Sequence, residues 1–91
     1  MEKERKYSDT RVGVIGIILN DPQTDSSKVN SVLHEYSDII VGRMGIPYRQ
    51  KGIAVIALTV DGTTDEIGAM TGKLGQIPEV TVKSALAPKE K

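Results

Sequence analysis

The chain predicts an α+β sandwich, with two helices on one face of a four-stranded antiparallel sheet. Three observations predict it. Four short runs rich in β-branched residues are bounded by turn residues. Two stretches between them repeat apolar residues at helical spacing. The two kinds follow one another as β-α-β-β-α-β, the split or ferredoxin-like plan.

Residues 1–10 are mostly charged and polar and read as a flexible tail before one domain spanning 11–86. Arg11–Leu19 (RVGVIGIIL) is the first strand, broken by Asn20-Asp21-Pro22. The first helix is expected from Ser26 to Ser37, with Val29, Val32, Leu33 and Tyr36 on one face and Asp25 or Thr24 as N-cap. The second strand, Ile39–Ile46, is expected to stop at Pro47. Arg49-Gln50-Lys51-Gly52 forms a hairpin loop into the third strand, Ile53–Val60. After the turn Asp61-Gly62, Thr63 and Glu66 have capping-box spacing. Ile67, Met70 and Leu74 then share a face of the second helix, and Gly75 suits the position just past its end. Val80–Leu86 is the fourth strand, and residues 87–91 form a tail.

Right-handed crossovers put the first and third strands in the middle of the sheet. Both are apolar at odd and even positions. Val12, Val14 and Ile18 alternate with Ile15, Ile17 and Leu19, and Val55 alternates with Ile56 and Leu58. Two helices cover one face only, so one set of apolar side chains must point away from them. A patch of several hundred Å² is unusual on a monomer. A second copy is expected over Val14 and Val55, or else edge pairing extends the sheet.

Composition narrows the function. A 91-residue domain is small and needs a staple. Without cysteine there is no disulfide and no thiolate metal site, and one histidine makes no imidazole cage. Oligomerisation remains. Twelve basic against 12 acidic residues give no basic excess, so direct nucleic-acid binding is not expected. No apolar run approaches a membrane span and no apolar leader opens the chain, so a cytoplasmic protein is expected.

Gly68-x-x-x-Gly72-Lys73 falls one residue short of a phosphate loop, with Leu74 where a hydroxyl would hold magnesium. Gly68, Gly72 and Gly75 lie on one side of the second helix. They serve either close packing and a cap, or a subunit or ligand contact through a bare strip. His34 falls opposite the Val29/Leu33 stripe, as a solvated histidine would. Asn20 and Asp21 serve the turn, or hold a small polar ligand near the helix start. Arg43 in an apolar strand needs a partner, either an ion pair at a subunit edge or a bound anion. No catalytic triad, metal site or cofactor motif is evident.

Val29-Asn-Ser-Val-Leu-His-Glu-Tyr36, Arg43-Met-Gly-Ile-Pro-Tyr-Arg49, Asp61-Gly-Thr-Thr-Asp-Glu-Ile-Gly-Ala69 and Thr71-Gly-Lys-Leu-Gly-Gln-Ile77 resemble the iron-only hydrogenase system regulator family. The resemblance runs from about Arg11 to Ala85. That family is similar to ACT domains and to the C-terminal domain of nickel-responsive regulators. The resemblance implies an ACT-like fold, a homo-oligomer (dimer or tetramer) and a regulatory role in the hydrogenase system. ACT domains often hold an amino acid at a subunit interface, in the region corresponding here to Asn20–Pro22. Nickel regulators use several histidines and a cysteine, which this chain lacks. They also place a DNA-binding segment at the N-terminus, for which the ten residues before Arg11 are too few. Acylphosphatases share the strand order, yet their basic phosphate loop corresponds to Asn20-Asp21-Pro22 here. The expectation is a non-enzymatic module that senses a small polar metabolite through Asn20, Asp21, Arg43 and Arg49. Its subunits would meet through Gly68, Gly72, Val14 and Val55. The alternative is a ligand-free assembly module for a hydrogenase-related protein partner.

Overall fold

The computed structural model describes residues 9–88. Residues 1–8 and 89–91, which hold most of both expected tails, lie outside the described residues. The elements run β1 (Arg11–Leu19), α1 (Pro22–Glu35), β2 (Ile40–Tyr48), β3 (Ile53–Gly62), α2 (Thr64–Gly75) and β4 (Val80–Leu86). The sheet order is β2-β3-β1-β4 and every pairing is antiparallel. This is the ferredoxin-like plan expected from the sequence. Among the described residues no helix is long and apolar enough to cross a membrane.

Several boundaries differ from expectation. The first helix starts at Pro22, four residues before Ser26, because proline at the first helical position costs no hydrogen bond and presets φ. Asp21 is therefore the N-cap residue, although its side chain makes no capping bond. Its carbonyl accepts the N–H groups of Thr24 and Asp25 at 3.1 and 3.0 Å. Thr24 and Asp25 are helical residues and cap nothing. β2 does not stop at Pro47 but runs through it to Tyr48, as an edge strand can. Asp61 and Gly62 belong to β3, paired with Val12 and Arg11. Gly75 closes α2 from inside, and Gln76 is the cap with an ordinary right-handed backbone. Gly52 takes φ 69° after the 3-10 turn Arg49–Lys51, a conformation that favours glycine.

Alternation decides the core. Ile15, Ile17 and Leu19 of β1 and Ile56, Leu58 and Val60 of β3 point to the helices. They meet Val29 and Leu33 of α1 and Ile67, Met70 and Leu74 of α2. Each such side chain contributes about 1.5–3 kcal/mol when fully buried.

The start of α2 is fixed by the expected capping box. Thr63 Oγ1 accepts the Glu66 N–H at 3.0 Å, and Glu66 Oε1 accepts the Thr63 N–H at 2.9 Å. Gly62 leaves room for it: a Cβ there would sit 3.0 Å from Ile39 Cγ2 and 3.1 Å from Glu66 Oε1. Thr63→Ala is expected to lower unfolding free energy by about 1 kcal/mol in urea titrations, and Thr63→Ser to recover most of it. No loss in the alanine variant would refute the capping role.

The two helices also meet at the surface. Lys73 Nζ lies 2.7 Å from Glu35 Oε2 and 5.2 Å from the centroid of the Tyr36 ring. Hydrogen bonding to Glu35, then to Tyr36, holds the Lys73 ammonium above the usual lysine range. The raised value means that the contact acts fully below that range and fades as pH climbs through the raised value. Solvent exposure makes it sensitive to salt.

Candidate functional site

Strand parity leaves the second sheet face bare. Val12, Val14 and Ile18 of β1 and Met44, Ile46 and Tyr48 of β2 are large, apolar and exposed. Val14 is 54% and Met44 60% exposed. The register arranges them in rows. Ile46, Val55 and Ile18 form one row across β2, β3 and β1. Met44, Ala57 and Gly16 form the next, continued by Lys83 of β4. Ala57 and Gly16 are small, so the middle of the face dips, and a Cβ at Gly16 would meet nothing within 4 Å. A shallow hollow of about 300 Å³ runs along Val14, Met44 and Ala57. Val14 and Val55 thus both stand on the open face.

The four expected ligand contacts do not converge. Asn20 and Asp21 follow the end of β1, whose Leu19 pairs with Ala54. Arg49 follows the end of β2, whose Tyr48 pairs with Ile53. These three share one end of the sheet. Arg43 pairs with Leu58, which pairs with Ile15, so it lies roughly 13 Å further down the strands. The Asn20 N–H is already engaged by the Glu79 carbonyl at 2.8 Å.

Arg43 faces the helix side, because its partner Leu58 does. There its Nη2 donates to Asn30 Oδ1 of α1 at 3.0 Å. Asn30, Leu33, His34, Ser37, Ile40 and Arg43 line an open groove of about 480 Å³ between α1 and β2. Asn30 and His34, four residues apart, share a side of α1. Asn30 and Ser37 escaped the sequence reading. The i,i+4 pair was available as a signal, but the meeting with β2 was not.

The glycine strip has a plain outcome. A Cβ at Gly68, Gly72 or Gly75 would meet nothing within 4 Å, so close packing inside this chain does not explain the glycines. Together with Val80 and Val82 of β4 they line an open groove of about 570 Å³.

Among the described residues Asp25 is the buried charged one, 1% exposed, and its Oδ1 has no hydrogen-bond partner. Lys28 Nζ stands 3.9 Å away, and the N-terminal end of α1 favours a negative charge in its first turn. Among the described residues no three His, Cys, Asp or Glu side chains gather as a metal site.

Residues 11–84 match a family described as "TM1266-like: Iron-only hydrogenase system regulator, putative". The solved structure of the uncharacterized protein TM1266 from Thermotoga maritima is 37% identical, with a TM-score of 0.83 over 87% of this chain and 99% of that one. A formyltetrahydrofolate deformylase from Pseudomonas putida KT2440 is 12% identical, with a TM-score of 0.60 over 85% of this chain and 29% of that one. An unknown protein from Galdieria sulphuraria is 13% identical, with a TM-score of 0.59 over 90% of this chain and 48% of that one. At such identities the last two show likeness of fold alone. No curated protein matches the chain.

Proposed function

The chain belongs to the TM1266-like family, and on that premise we propose that it is a non-catalytic regulatory module of the iron-only hydrogenase system. It works as a homo-oligomer that takes a small polar ligand beside a subunit contact. The open sheet face carries this reading. Its exposed apolar area, on the order of several hundred Å², approaches the ~800 Å² that each partner contributes to a standard interface. A second copy about a two-fold axis is a suitable cover, because such an interface is self-complementary. Met44 of each copy fills the dip over Gly16 and Ala57 of the other. Val14 and Val55 lie inside this contact, and Gly68 and Gly72 offer a second one for a tetramer.

β2 links assembly to ligand. Met44 and Ile46 stand on the open face, whereas Arg43 faces the groove against α1. The expected result is a dimer or tetramer at micromolar concentration by sedimentation equilibrium. In a thermal screen of amino acids, organic acids and nucleotides, one class should raise the melting temperature without changing subunit number. A ligand at about 100 times its Kd should raise it by roughly 10 °C or more. A monomer whose melting no compound shifts would refute the proposal. The unfilled groove along Gly68, Gly72 and β4 favours a second reading, a ligand-free assembly module. A stoichiometric protein partner recovered from host extract without any small molecule would select it.

A further inference from the structure

We propose that the groove between α1 and β2 is the ligand site, and that it takes a small molecule through a carboxylate or phosphate group. This rests on the reading that the chain binds a small ligand, and adds the place and the chemistry. The key observation is the company Arg43 keeps. Arg43 is exposed on the helix side of an edge strand, so its guanidinium is open to an incoming group. Among the described residues no carboxylate pairs with it. Its structural partner is the neutral Asn30 amide oxygen, which engages one N–H at 3.0 Å. The guanidinium keeps its other N–H donors. Asn30 holds the fork in place, so less freedom is lost when an oxyanion arrives.

The surroundings fit such a guest. His34 and Ser37 line the same groove, and both residue types carry a side-chain hydrogen-bonding group. Leu33 and Ile40 supply apolar wall for the body of the molecule. The groove is open to solvent, and its volume of about 480 Å³ leaves room for a small organic acid or phosphate ester beside Arg43. No acidic side chain lines it. The groove is on the helix side of β2, so a copy seated on the opposite face leaves it accessible.

The test is an NMR titration of the full chain with glutamate, succinate and inorganic phosphate, followed by backbone amide shifts. Shifts should centre on Asn30, His34, Ser37 and Arg43, and the strongest arm tells carboxylate from phosphate. Arg43→Ala should weaken binding about tenfold or more, the loss expected for hydrogen bonds to a charged group, with the spectrum otherwise preserved. Arg43→Lys should recover only part, and Arg49→Ala, at the far end of the sheet, should change nothing. Shifts centred on Asn20–Pro22, with Arg43→Ala binding as the parent does, would overturn the groove and leave the regulatory reading standing. Absence of binding by all three probes would overturn this proposal, while a melting shift by some non-anionic compound would still sustain the broader reading.

Discussion

The double substitution Val14→Glu, Met44→Glu is expected to give a folded monomer. Both side chains are more than half exposed in the single protomer, so the fold itself should change by about 0.5 kcal/mol or less per site. In the assembly each would bury a carboxylate against apolar side chains, with a second carboxylate close by from the other copy. Unpaired buried charge costs several kcal/mol, so the dissociation constant should rise by roughly a thousandfold. Sedimentation equilibrium reads this directly, and circular dichroism checks that the protomer survives. Gln23→Glu, exposed on α1, is the control for added charge and should leave the assembly intact. A double variant that sediments like the parent would remove the open face from the interface.

Leu58→Ala should carry the largest stability loss. Leu58 is 1% exposed and stands in the middle of β3, between Arg43 on one side and Ile15 on the other. Truncation removes its transfer free energy and leaves a cavity, for about 2–5 kcal/mol. That is a large part of what a domain this small has, and the melting temperature should fall by roughly 10–30 °C. Leu58→Met, which keeps most of the volume, should cost less than about 1.5 kcal/mol. If the parent is an oligomer, the alanine variant should also melt at a temperature that rises with concentration. A loss below 1 kcal/mol would contradict the packing described for this strand.

Strand order was legible because the pattern had only one economical closure. Val12 through Leu19 is apolar on both parities, which placed β1 centrally, and Pro47 marked an edge. The capping box at Thr63 was legible because both partners sit in one turn of sequence. The start of α1 is not legible in apolar spacing, which begins only at Val29; its physical signal is the Asp21-Pro22 pair. The face of Arg43 was not legible at all. It depends on a register shift between Ile40 and Gly42, which resets the parity of β2 against β3. Asn30 is not legible for a related reason, since its role depends on Arg43 reaching it from β2.

Pro47 has a consequence for how copies can add to one another. A strand laid along β2 would lack a donor at that rung, since proline has no N–H. Side-by-side growth into an endless ribbon is therefore discouraged at this margin. A copy seated on the open face, rather than along this edge, would close the contact at two subunits, because a two-fold interface uses up the surface that forms it.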